Sequence, residues 1–150
     1  MDSIKYDDFL LREVKPEDKD ILYHWANDSQ TRQNSFSSRE ITYEEHERWF
    51  QKTLNSKKRI QMIMEKNGVP VGQIRIDIDG KVGEIGYAIA PEYRGRGYGA
   101  IICKLMVEYA RNNLRICKLI ARVKNNNIAS KRCFIKNGFD NVYEQFELDI

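Results

Sequence analysis

Histidine is scarce in this 150-residue chain, which has only His24 and His46. Cysteine is nearly as rare: Cys103, Cys117 and Cys133 make no CxxC pair and have no histidine close by in the sequence. That argues against a zinc site or a disulfide framework, so no metal is expected and the thiols should be reduced. No run of 18 apolar residues occurs, which argues against a membrane span. The opening MDSIKYDDF is acidic and lacks the apolar core of a leader peptide, so a cytoplasmic protein is expected. The net charge is only +3, too little to imply nucleic acid by itself. GK[ST] is absent, and with it a Walker A loop. Repeats and low-complexity segments are absent too, and the length fits one domain over residues 1–150.

What is present centres on residues 89–100, IAPEYRGRGYGA. A plausible strand, GEIGYAI, leads into it, and a helical pattern follows with Ile101, Cys103, Leu105, Met106, Tyr109 and Ala110 on its apolar side. Gly95, Gly97 and Gly99 let backbone amides approach a ligand, and the helix start offers unpaired N–H groups. Arg94 and Arg96 flank that opening, so the stretch predicts an anion-binding turn suited to a pyrophosphate. Its GxGxG spacing is not the dinucleotide GxGxxG. A plain Arg/Gly-rich connection is the alternative.

Along the chain, residues 9–14 read as a strand and Pro16 sits near the start of a helix reaching about Asn27. Residues 30–41 are polar and carry no periodicity. Thr42 and Glu45 form a capping box for a second helix bearing Trp49, Phe50 and Leu54. Residues 59–65, 69–77 and 82–89 form an antiparallel meander, with turns at Asn67-Gly68 and Asp79-Gly80. Residues 118–124 alternate as a strand parallel to the last of these. One of Asn125, Asn126 and Asn127 caps a short helix closed by Gly138, and residues 142–148 predict an antiparallel edge strand.

The RGRGYGA turn resembles the acyl-coenzyme A signature of the GNAT N-acetyltransferase superfamily, R/Q-x-x-G-x-G/A. Residues 127–139, NIASKRCFIKNGF, are similar to a second signature of that superfamily. The resemblance implies an α/β fold of α+β type. Its centre is a mixed, mostly antiparallel twisted sheet with helices on both faces and a splayed parallel strand pair. It also implies acetyl-CoA as cosubstrate. Amides of Arg96, Gly97, Tyr98, Gly99 and Ala100, with Arg94 at the edge, would hold the pyrophosphate. Backbone at Ile89 and Ala90 would pair with pantetheine, and amides near Ala88 and Ile89 would polarise the thioester carbonyl. Asn127 would touch pantetheine, and Lys131 would reach the adenosine phosphate. Phe134 stands where the superfamily often has a tyrosine that protonates the departing thiolate. Either Tyr87, Tyr98 or water would then replace that donor, or the thiolate would leave unassisted.

Amine acetylation needs a base only to take the amine's proton, and Glu84 and His46 are the candidates. Helix packing is the alternative for His46. Trp25, Asn27, Asp28, Arg32, Phe36, His46 and Trp49 together resemble nucleotide-amino-sugar N-acetyltransferases of pseudaminic-acid-type biosynthesis. That resemblance implies a UDP-linked 4-amino sugar as acceptor, with Trp25, Arg32, Phe36, His46 and Trp49 as its contacts. An acetyltransferase for a protein N-terminus, aminoglycoside or other small amine remains open. So do a non-catalytic coenzyme A-binding module and a homodimer through the C-terminal strand or the N-terminal helices.

Overall fold

The computed structural model describes residues 3–150. Six strands form one sheet in the order β1-β2-β3-β4-β5-β6. They are β1 (Ser3–Tyr6), β2 (Phe9–Glu13), β3 (Arg59–Lys66), β4 (Val69–Asp79), β5 (Val82–Ile89) and β6 (Lys118–Ile120). All neighbours are antiparallel except β5 and β6. The helices are α1 (Lys19–Ala26), α2 (Ser29–Asn34), α3 (Tyr43–Asn55), α4 (Tyr98–Asn113) and α5 (Ile128–Lys136).

The meander follows from its turns and its alternation. Asn67 and Gly68 both take positive φ, 50° and 81°, as a two-residue hairpin turn requires. Along β4, Ile74 and Ile76 are fully buried while Gln73, Arg75 and Asp77 are only half-buried. Period-two alternation therefore gives the sheet one apolar and one largely polar face. Met62, Met64, Ile74, Ile76, Ile85 and Ile89 pack against α4, which buries Ile102, Leu105 and Met106 completely. Each such side chain contributes roughly 1.5–3 kcal/mol. The opposite face is covered only in part, where Leu22, Trp25 and Phe50 of α1 and α3 pack on Ile63 and Ala90.

A buried ion pair fixes α1 over that face. Arg12 of β2 donates to both carboxylate oxygens of Asp18, at 2.8 and 3.0 Å, and to Glu65 at 3.2 Å. Burial alone would raise the Asp18 pKa. The Arg12 hydrogen bonds and the Lys15 amide outweigh it and hold the carboxyl below its usual range.

Four elements differ from the sequence expectation. The hairpin partner β1 was not foreseen; Asp7, at φ 56°, makes its turn. Residues 29–34 form α2 without any apolar stripe, because Asp28 caps it through the Thr31 amide at 3.1 Å. The strand expected over residues 118–124 pairs only as far as Ile120. The edge strand expected over residues 142–148 does not form: residues 139–150 pair with no strand, and Phe146 is 90% exposed.

Candidate active site

The site begins where β5 and β6 part. They pair through Val82–Lys118, Gly83–Leu119 and Glu84–Ile120, then diverge. Ala90 donates its amide to the Val71 carbonyl at 2.9 Å. Antiparallel alternation then turns Ala88 and Gly86 towards β4, and the backbone groups of Tyr87 and Ile89 towards the gap. The amides of Ala88 and Ala90, expected to meet a ligand, are thus committed to the sheet. The backbone groups of Ile89 and Tyr87 remain free to face the gap.

Beyond the strand lies the glycine turn. Gly95 and Gly97 take φ of 77° and 80°, and Gly97 is the N-cap of α4. No side chain caps this helix, so the first amides of α4, from Tyr98, Gly99 and Ala100, face outwards. Together with the dipole they make an anion cradle. The Tyr98 ring is buried, edge-on to Phe9 at 5.0 Å, and its hydroxyl accepts from Lys66 at 3.1 Å. Tyr98 is therefore a core plug tied to β2 and β3. Arg96 lies over the Tyr93 ring at the surface.

On the α4 side the gap has a floor. The Tyr87 hydroxyl lies 3.0 Å from Ser130 Oγ, and its ring meets Phe134 edge-on at 5.8 Å. A Cβ on Gly99 would sit 2.9 Å from Cys133 Sγ and 3.1 Å from the Tyr87 hydroxyl. Burial, reinforced by the Cys133 thiol, pushes the Tyr87 phenol well above its normal range, so it stays protonated. Asn127 caps α5 through the Ser130 amide at 3.3 Å, leaving its Nδ2 for a ligand. Lys131 lies one turn further along, half-buried.

With that side closed, an acceptor must approach the gap from the opposite face. There β3, β4 and β5 present Arg59, Arg75, Asp77 and Glu84. Asp77 is shared by Arg59 at 2.5 Å and Arg75 at 3.3 Å, and Glu84 pairs with Arg122 at 3.3 Å. The Arg75 guanidinium lies over Gly86, 3.8 Å from where a Cβ would be. Three guanidiniums against two carboxylates leave this face cationic.

Helix α2 straps the open end of the gap. On the β5 side, Arg94 donates to Asp28 at 2.6 Å, to Thr31 at 3.2 Å and to Gln30 at 3.3 Å. On the β6 side, Lys124 donates to the Gln33 carbonyl at 2.8 Å. The expected seat of Arg94 at the pyrophosphate is corrected: its guanidinium belongs to the strap.

The remaining acceptor candidates divide. Trp25 is 6% exposed and lies in the core, and His46 is 2% exposed. Trp49 is half-buried beside His46 and below Arg59. The Asn27 side chain clamps both backbone groups of Ile41 at 2.8 Å. Much of the run read as a sugar-binding motif is therefore loop scaffolding. Arg32 donates to the carbonyls of Ser37 and Arg39 and to Ser35, and its buried Nε has no partner. Among the described residues no carboxylate lies within ion-pair distance of it. Phe36, at the tip of the loop, is 72% exposed.

His46 joins α3 to α1 through an Nε2–H donated to the Lys19 carbonyl at 2.8 Å. The expected base role fails because the ring is sealed in aromatic packing with Tyr23, Trp49 and Phe50. Burial lowers its pKa, so the fold holds it neutral. Stability from this group is present above the unfolded value of about 6.5 and is lost as pH falls below it. Thermal unfolding should show a midpoint that drops as pH falls below about 6.5. His46→Gln, which keeps an N–H donor, should flatten that segment.

The geometry comprises an open parallel pair, an uncapped helix start and a sealed floor. The model of the acetyltransferase (GNAT) domain matches residues 8–140. The chain belongs to this family of acetyltransferases. Comparison with curated proteins finds no match. Among solved structures, spermidine N-acetyltransferase from Vibrio cholerae, with coenzyme A and spermine, superimposes with a TM-score of 0.83 at 17% identity. That match covers 95% of this chain and 88% of the other. An aminoglycoside acetyltransferase with coenzyme A gives 0.76 at 22% identity, covering 88% and 84%. A domain from Methanocaldococcus jannaschii gives 0.80 at 23%, covering 97% and 94%. A polyamine and an aminoglycoside enzyme share this fold, so the fold leaves the acceptor undecided. Among the described residues no helix is long and apolar enough to cross a membrane, and no cluster of three His, Cys, Asp or Glu could hold a metal.

Proposed function

We propose that the chain transfers acetyl from acetyl-CoA to the primary amine of a small acceptor that carries negative charge. A nucleotide-linked amino sugar, with its 4-amino group as nucleophile, is the specific acceptor. The observation that carries the reading is the one-sided gap: β5 and β6 part beyond Glu84 and Ile120, Tyr87, Ser130 and Phe134 close the α4 side, and the cationic face is left to the acceptor. The α4 amides hold the pyrophosphate, and the Tyr87 and Ile89 backbone aligns the pantetheine arm. The Ile89 amide donates to the thioester oxygen as charge develops there. The amine lone pair attacks the carbonyl carbon, the C–S bond breaks, and the coenzyme leaves as thiolate. A free thiol has a pKa of about 8.5, so this departure is tolerable without an acid at Phe134. Glu84 lies five positions before Ile89, about 17 Å along the strand, so the amine proton reaches it through a chain of waters.

Support for an anionic acceptor comes from Arg32, a partly buried cation without a counterion, and from the excess of arginine at Arg59, Arg75 and Arg122. A polyamine would meet repulsion on the same surface. Thiol release from acetyl-CoA, measured with a UDP-4-amino-4,6-dideoxy sugar, an aminoglycoside, a polyamine and short peptides, tests the reading. Turnover is expected with the nucleotide sugar. Arg32→Gln should raise that acceptor's KM about tenfold, the loss of one charge-assisted contact, while the KM of acetyl-CoA stays unchanged. Turnover with the polyamine alone would refute the charge argument.

A further inference from the structure

The face of β5 that the acceptor crosses is nearly bare. Alternation brings Glu84, Gly86 and Ala88 to it, and all three are half-buried. Just beyond, Ala90 is buried with Leu22, Trp25 and Phe50, so α1 and α3 close that end of the strip. Ile89, whose amide meets the thioester oxygen in the reading above, lies between Ala88 and Ala90. The reacting bond therefore falls at the closed end, where the β5 side chains on this face are methyl groups. The polar neighbour is on β4.

Gln73, Arg75 and Asp77 of β4 stand opposite Ala88, Gly86 and Glu84 in turn. Arg75 and Asp77 pair with each other, towards the open end. Gln73 stands at the closed end, half-buried, and its Oε1 accepts from Gln61 Nε2 of β3 at 2.5 Å. Gln61 is 3% exposed, and its own Oε1 has no partner. A buried amide one bond short costs stability that two apolar residues of the same size would not. Packing therefore does not account for the pair. Its effect is to fix Gln73. The carbonyl end is committed to β3, and Nε2, with two N–H donors, has no partner among the described residues. A donor beside the reacting bond calls for an oxygen. The attacking amine supplies none, because its lone pair goes to the carbonyl carbon and N–H groups are all that remain. The oxygen belongs on the next carbon.

We propose that Gln73 is a specificity-determining residue for the acceptor. Its side-chain amide, fixed by Gln61, donates to an oxygen on the carbon next to the one that bears the amine. This rests on the acetyl transfer and the thioester position inferred above, and it narrows the acceptor to a vicinal amino alcohol. An amino sugar has that arrangement and a polyamine does not.

Thiol release from acetyl-CoA with two matched amines, trans-2-aminocyclohexanol and cyclohexylamine, tests this without a nucleotide or a negative charge. The readout is the ratio of kcat/KM for the two, compared between variants so that their difference in basicity cancels. Gln73→Leu should lower the ratio about tenfold by slowing the hydroxylated amine alone, with the KM of acetyl-CoA unchanged. Gln61→Met should lower it by a smaller factor without lowering the thermal midpoint, since the orphaned carbonyl goes with the anchor. A ratio unmoved by Gln73→Leu would overturn the proposal, as would an equal loss with both amines. If only the nucleotide sugar is turned over, the same ratio is taken between it and its 3-deoxy analogue. Preference for a polyamine over the nucleotide sugar would refute the anionic acceptor and leave the ratio to decide Gln73. Transfer to no amine would overturn both.

Discussion

Gly97→Val should weaken acetyl-CoA binding by about 100-fold or more, close to 3 kcal/mol, without unfolding the chain. Gly97 holds φ at 80°, and no atom lies within 4 Å of where its Cβ would be. The substitution therefore meets no clash, and its whole cost is conformational. An L-residue in the left-handed region costs roughly 1–2 kcal/mol, and a β-branched one more. The chain can relieve that strain only by rotating the N-cap of α4. Rotation swings the Tyr98, Gly99 and Ala100 amides away from the phosphates, so strain converts into lost affinity. Calorimetric titration with coenzyme A, beside a thermal melt, separates the two effects. Wild-type affinity in a folded variant would remove this turn from the binding site. Gly97→Ala should fall between the two.

Glu84→Gln should lower kcat about 100-fold near neutral pH and leave the KM of acetyl-CoA unaltered. The amide preserves the side chain's size and loses only its basicity. An amine arriving unprotonated needs less help, so the deficit should shrink as pH rises towards the amine's own pKa. A deficit constant across pH would mean that Glu84 merely holds Arg122. Arg122→Gln provides the control, because it removes the ion-pair partner and keeps the carboxylate.

Local chemistry made much of this molecule readable in advance. The Thr42–Glu45 capping box, the Asn67-Gly68 turn, an asparagine cap before α5 and Gly138 each act within a few residues, and each lies where the pattern put it. The glycine turn was equally plain, since a positive φ at Gly95 and Gly97 is a property of the residue itself. Distant pairings were not readable. Arg94 beside two glycines suggests a phosphate ligand, yet its partner is Asp28, 66 positions earlier. Helix α2 has no apolar stripe to announce it and is held by Arg94 and Lys124 from elsewhere. Trp25, Asn27 and Arg32 form a motif whose members answer to the core, to Ile41 and to the Ser35–Arg39 loop in turn. The spacing suggested one shared site, whereas Trp25 and Asn27 face inwards. The pattern of residues 142–148 is that of a strand, and a pattern does not name its partner.

The strap across the gap has a thermodynamic consequence. Its two anchors, Arg94 and Lys124, belong to opposite walls, so any change in the separation of those walls reaches the Ser35–Arg39 loop and Phe36. A coenzyme that wedges the walls apart therefore alters the acceptor's binding free energy at a site it never touches. Linkage makes the exchange mutual: whatever factor the coenzyme imposes on acceptor affinity, the acceptor returns to the coenzyme. Two substrates meeting at one thioester are thus also each other's effectors, through six residues of helix.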